Sequence, residues 1–178
     1  MTQPKVISTK KVYSGRVFDV FLDKIRDGDV EYERDVVTHK GSAVIVPVFA
    51  DETIALVKQY RHPAQKYLYE ICAGSLDEDE NPEAGARREL EEEIGVTAGK
   101  IEKLSEFYVS PGFLSEKMFV FLATDLTETA QNLEADEILE IEKFTFEQAF
   151  EMIRKNEIED AKTIVGLIFA GAKFGYKF

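Results

Sequence analysis

The chain has one cysteine, Cys72, so no disulfide can form within it and a disulfide-stapled fold is excluded. That usage suits a reducing compartment, and the expectation is a cytoplasmic protein. Tryptophan is absent, and the two histidines, His39 and His62, are not at a metal-ligand spacing. No apolar run reaches the roughly 20 residues that a membrane-crossing helix needs. The opening Met-Thr-Gln-Pro-Lys-Val has no apolar secretory stretch, so no leader is expected. Positive charge is scarce: 22 Lys and Arg stand against 34 Asp and Glu, for a net charge of −12. This makes nucleic acid an unlikely partner, because phosphate-backbone binding rests on Lys and Arg. A small phosphorylated substrate is still allowed, since it can arrive with a divalent cation and meet a few placed arginines.

What is present is an ordinary globular composition, 44% hydrophobic and 31% charged over 178 residues. That length supports one full core with room for a small appendage. Residues 5–13, 16–25 and 30–37 read as short strands rich in Val, Ile, Phe and Tyr, with an Asp-Gly turn inside 26–29. A sheet of this size has little core of its own and must pack on something else. Residues 42–50 and 53–60 form an expected hairpin, and 67–73 a further strand. Strands are also expected at 100–109, 116–124 and 140–144, with an acidic surface loop over 127–137. Helical periodicity marks 146–155 and 160–173, with Phe146, Ala149, Phe150 and Ile153 on one face of the first. The mixture is α+β and lacks a regular βαβ alternation.

One stretch, residues 74–96, is different in kind: GSLDEDENPEAGARRELEEEIGV. Asn81 is a good N-cap, Pro82 suits the first helical position, and Gly95 suits a helix stop with positive φ. The punctuation predicts a loop over 74–81 and a helix over 82–94. Glu89, Glu92 and Glu93 stand at i, i+3 and i+4, on one helix face. Like charges so placed repel. They can be a solvated face, or they can hold a hard divalent cation such as Mg²⁺, which takes oxygen ligands. Gly85 is the odd residue, costing about 1 kcal/mol in a helix relative to Ala.

Gly74, Glu80, Arg88, Glu89, Leu90, Glu92, Glu93, Gly95 and Val96 match every fixed position of G-x5-E-x7-R-E-U-x-E-E-x-G-U, where U is aliphatic. The stretch resembles the Nudix box, the signature of hydrolases that cleave nucleoside diphosphates linked to another moiety. Outside it, Glu70-Ile71-Cys72-Ala73-Gly74, Gln59-Tyr60-Arg61, residues 34–41 and Ser110-Pro111-Gly112-Phe113 resemble the ADP-ribose pyrophosphatase branch. Pro111 falls 15 residues beyond Val96, close to that branch's marker proline. The resemblance covers roughly residues 30–170. It implies an α/β/α sandwich around a mixed sheet, with a small N-terminal antiparallel sheet. Residues 1–40 would be that sheet, serving dimerisation and substrate contacts, and 41–178 the hydrolase domain.

The resemblance also implies roles. Glu89 and Glu93 would ligate Mg²⁺ (Mn²⁺ being a possible substitute), with the Ala73 carbonyl; Glu92 would be a ligand or a supporting carboxylate, and Glu80 a weaker candidate. Arg88 would brace a box glutamate or the loop below it. The general base comes from Glu134, Asp136, Glu137 and Glu140; the branch's pattern points to Glu137, which can also serve as a ligand. Ala135 departs from relatives that are acidic there. Arg34 and Arg61 would meet phosphate or ribose, Glu70 and Glu116 ribose or base, and Pro111 lies on the substrate loop. Phe18 or Tyr32 could stack on the base. The expected reaction is Mg²⁺-dependent hydrolysis of ADP-ribose or a related nucleoside diphosphate sugar by a homodimer. A GDP-mannose preference, a non-catalytic nucleotide sensor and RNA 5′-end processing are the alternatives; the last two sit poorly with the intact box glutamates and the acidic charge.

Overall fold

The computed structural model describes residues 3–133, 135 and 137–178. The elements run β1 (Lys5–Ser14), β2 (Asp19–Asp27), β3 (Val30–Thr38), β4 (Ser42–Pro47), β5 (Ile54–Arg61), a 3₁₀ turn (His62–Ala64), β6 (Lys66–Glu70) and β7 (Cys72–Ser75). Then come α1 (Pro82–Glu89), a π-helical turn (Leu90–Ile94), β8 (Val96–Tyr108), β9 (Lys117–Glu128), β10 (Leu139–Phe144), α2 (Phe146–Arg154) and α3 (Ala161–Lys173). The chain falls into two compact units.

The first unit takes in residues up to Gly41 together with Phe107–Met118. Its sheet is antiparallel in the order β1-β2-β3, and the β2–β3 turn places Gly28 at φ +59°. Residues 107–118, which the sequence reading had grouped with the hydrolase domain, join this unit by backbone bonds. Val37 N–H donates to Phe113 O at 2.7 Å, and Ser115 N–H to Val37 O at 2.9 Å. All ten residues of β1 are exposed.

The second unit, Ser42–Glu106 with Phe119–Phe178, carries the sheets β7-β4-β9-β8 and β10-β5-β6. Every residue of β4 is buried, so both faces of this strand are covered. Alternation sorts them. Ala43 and Ile45 share a core with Ala86, Leu90 and Ile94 on the helix side of the box. Val46 faces the other way, where Gly166 of α3 comes so close that a Cβ would overlap Ile71 Cδ1 and stand 3.2 Å from Val46 Cγ2. Helices therefore cover both faces of the sheet, the α/β/α layering of a mixed-sheet α+β fold.

Two elements differ from the sequence reading. The single strand over 67–73 is two strands in two sheets, broken at Ile71. Ile71 N–H does not join a ladder there; it donates to Thr163 Oγ1 of α3 at 2.9 Å. The helix over 82–94 is α-helical only to Glu89 and ends in the π turn, closed by Gly95 at φ +70° with its N–H on Glu91 O. Residues 127–128 finish β9, and the segment after them caps that helix end. Thr129 N–H donates to Gly95 O (2.7 Å), Asn132 N–H to Glu92 O (3.1 Å) and Gln131 Nε2 to Glu93 O (2.6 Å). These bonds satisfy carbonyls that a helix end leaves open.

Candidate active site

The box helix starts where its sequence says. Asn81 Oδ1 accepts from Glu83 N–H at 2.9 Å and Ala84 N–H at 3.3 Å, and Pro82 follows at the first helical position. Gly85 is explained by the loop packed on it: a Cβ would lie 2.7 Å from Leu76 Cδ2 and 3.1 Å from Glu80 Oε2. Gly74 is explained in the same way, since a Cβ there would overlap the Glu89 carboxylate.

Arg88 ties this loop to the helix. Its Nε and Nη2 each donate to Glu80 at 3.1 Å, Nη2 also to Ser75 O at 3.2 Å, and Nη1 to Glu89 at 2.6 Å and Glu92 at 3.0 Å. One planar guanidinium thus fixes three carboxylates and a strand-end carbonyl. Glu80 is held by Arg88 and by Asp77 N–H, which donates to it at 2.9 Å.

Glu89 and Glu93 are buried, at 7% and 4% exposure, whereas the Glu92 side chain is one-third open. Glu93 Oε2 accepts from Ala73 N–H at 3.2 Å. Burial pushes the Glu93 carboxyl up to about 7; the Cys72 thiol and the Ala73 N–H oppose the rise, and the charges of Glu89 and Glu137 add to it. Burial likewise raises Glu89, against the pull of Arg88, with Glu92 and Glu137 pushing in the same direction as burial. Glu137 therefore lies within electrostatic reach of both buried glutamates. Burial raises the Cys72 thiol, which is inert as a nucleophile and serves the core.

The expected substrate residues divide between the units. Arg61 and Glu70 stand in the second unit with the box. Glu70 is buried and fully engaged, accepting from Arg61 Nε (2.7 Å), Arg61 Nη2 (2.8 Å) and Lys162 Nζ. Arg34, Pro111 and Glu116 belong to the first unit. The Arg34 guanidinium lies 4.3 Å from the centre of the Tyr32 ring, Pro111 is exposed, and Glu116 Oε1 is 3.8 Å from His39 Nδ1. Phe18 is exposed beside Tyr13, and Glu140 is exposed on β10. Glu134 and Asp136 lie outside the described residues. Lys162, Asp160 and Thr163 were missed by the sequence reading. Their one signal is the D-x-x-T cap at the start of α3, where Thr163 N–H and Oγ1 donate to Asp160 Oδ2 at 2.9 and 2.6 Å.

Among the described residues, no three Asp, Glu, His or Cys side chains form a finished metal cage. Arg88 engages Glu89 and Glu92, and Glu93 rests on Ala73. The donor set nevertheless suits a hard cation. Two buried carboxylates with a third close by have raised proton affinity that a divalent ion would relieve.

Comparison with known proteins agrees with this geometry. A NUDIX domain model matches residues 39–165. An ADP-ribose pyrophosphatase of Bacillus subtilis (strain 168) is 37% identical over 175 residues, covering 96% of this chain and 94% of that protein. A methanol dehydrogenase activator of Bacillus methanolicus is 34% identical over 169 residues, with coverage of 93% and 91%. A GDP-mannose pyrophosphatase of Escherichia coli O1:K1 / APEC is 34% identical over 180 residues, with coverage of 93% and 94%. Among solved structures, an ADP compounds hydrolase superposes with a TM-score of 0.86 over 98% of this chain and 96% of that one, at 19% identity, which speaks to fold. Hydrolases of this type generally use divalent metal ions. Fold, box and full-length relatives converge on one conclusion: the chain belongs to the Nudix family.

Proposed function

We propose that this protein is a Mg²⁺-dependent pyrophosphohydrolase that cleaves ADP-ribose or a related nucleoside diphosphate sugar to a nucleoside monophosphate and a sugar phosphate. The observation that carries the reading is the pair of buried box carboxylates, Glu93 bonded to the Ala73 N–H and Glu89 braced by Arg88. Full-length similarity to an ADP-ribose pyrophosphatase supports the substrate class.

Glu89, Glu93, Glu92 and the Ala73 carbonyl would hold the metal, with Glu137 as a further ligand. The bound ion would neutralise the pyrophosphate and acidify a water, which is the chemistry this bond requires. Mn²⁺ could replace Mg²⁺ on the same oxygens. Glu137 would alternatively take the proton of the attacking water, a role that its reach to Glu89 and Glu93 supports. Arg88 would keep Glu89 and Glu92 in their rotamers. Arg61 would meet the substrate's phosphates, with Arg34, Pro111 and Glu116 as substrate-binding residues; Glu70, expected among them, is buried and would act through Arg61. The N-terminal sheet would form a homodimer, and the protein would work in the cytoplasm. The described residues contain no helix long and apolar enough to cross a membrane.

The similarity to a GDP-mannose pyrophosphatase supports a second preference for the same chemistry. Product release from ADP-ribose, GDP-mannose, UDP-glucose and capped RNA, with and without Mg²⁺, separates these readings. The expected outcome is Mg²⁺-dependent AMP release that falls by about 10²-fold or more in Glu93→Gln. GMP release from GDP-mannose in preference would keep the mechanism and replace the substrate. Tight nucleotide binding without turnover on any of the four would indicate a sensor.

A further inference from the structure

Glu70 is held by two cations of unlike character. Its side chain is 2% exposed, the Arg61 side chain is 40% exposed, and that of Lys162 is 10% exposed. Arg61 has an open side. Lys162 is closed in, with Asp160 Oδ2 at 3.1 Å, and Asp160 is itself locked by Thr163. Arg61 also points the right way. On β5 it shares a face with Gln59 and Val57, and Val57 packs in the core that contains Leu90 and Ile94. Its guanidinium feels the charge of Glu93 as well as that of Glu70.

A buried carboxylate with one cation cannot release it, because an uncompensated charge in a dry site is strongly unfavourable. A carboxylate with two can lend one. We infer that Lys162 is a positioning residue that keeps Glu70 neutralised, so that Arg61 can turn its guanidinium from Glu70 to a phosphate of the substrate. The inference rests on the proposed binding of a nucleoside diphosphate beside the box. It gives Arg61 a partner from α3, a helix the box motif does not include.

Two sets of variants test it. In the first, binding of the non-hydrolysable α,β-methylene analogues of ADP-ribose and GDP-mannose is measured by calorimetry in Mg²⁺. Lys162→Met is expected to weaken binding about tenfold or more, about 1.4 kcal/mol per decade. Adding Glu70→Gln should restore it to within about threefold, since a neutral amide no longer holds Arg61. In an Arg61→Met background, Lys162→Met should have no further effect. A purely structural lysine would weaken binding equally in both backgrounds, and that outcome overturns the inference. In the second set, urea melts of Arg61→Met, Lys162→Met and their combination should show a joint loss larger than the sum, relieved by Glu70→Gln. Additive losses would also overturn it. Wild type that binds neither analogue would sink the proposed substrate, and the melts would still decide whether the two cations back each other up.

Discussion

Gly74 shows how narrowly one residue sets this site. It has no side chain because the Glu89 carboxylate occupies that space. Alanine there would push a proposed metal ligand aside while leaving the hydrophobic core intact. Catalysis tolerates such displacement poorly; about 1 Å of misplacement can cost about 10²-fold. Gly74→Ala is therefore expected to lower kcat/KM by about 10²-fold, with a thermal midpoint within a few degrees of wild type. Steady-state kinetics and a melting curve check this, and a large loss of stability with normal kcat would show that the glycine serves folding instead. Arg88 illustrates the opposite economy at the same scale. One side chain reaches Glu80, Glu89, Glu92 and Ser75, so it joins the loop, the helix and the strand end. A lysine, with one compact ammonium on a flexible stem, cannot reproduce that fork.

Among elements, β6 and α3 are tied together by a buried ionic contact. Burial alone would raise the Glu70 carboxyl, but hydrogen bonds and charge from Arg61 and Lys162 outweigh it and hold the carboxyl below its ordinary 4.5. A folded-state value below the unfolded one gives stability that is present above about pH 4.5 and lost as pH falls through the folded value. The stability gap between wild type and Glu70→Gln, measured by urea melts from pH 7 to pH 3, should therefore narrow on acidification. A gap that stays constant would mean that Glu70 contributes packing and not charge. The same tie marks what sequence could and could not show. The box helix was legible because Asn81, Pro82 and Gly95 act locally, through caps and a positive φ. The break at Ile71 was not, because the run from Tyr67 to Ala73 contains no glycine or proline and gives no local reason to stop. A hydroxyl 92 residues away makes the break. The π turn was hidden for a like reason: Leu90–Ile94 contains no glycine or proline, and its carbonyls are satisfied by a distant segment. Of the site, spacing put Glu89, Glu92 and Glu93 on one helix face and the family resemblance supplied the proposed ligand roles, whereas Lys162 had no such signal, since its role exists only where two elements meet.

The whole molecule carries a net charge of −12, yet its N-terminal sheet displays apolar side chains. Val6, Ile7, Val12 and Tyr13 of β1 are each more than 40% exposed, as are Val17, Phe18 and Val30 within the same unit. Ten exposed residues of one strand leave β1 with almost nothing buried beneath it. Isolated surface hydrophobics are unremarkable, but a cluster on one small sheet marks an interaction surface. A second copy of this chain is the proposed occupant, because a three-stranded sheet with so little core needs a partner to cover it. A stable dimer interface covers about 800 Å² on each partner, an area such a sheet can supply. The 20.2 kDa chain should therefore run at about twice its mass in light scattering at micromolar concentration. Val6→Asp combined with Val12→Asp, which sets charges into a dry interface, should return it to monomer mass. Substrate turnover measured on that monomer then separates two roles for the sheet. Loss of activity would mean that the sheet completes the site, whereas full activity would confine it to assembly.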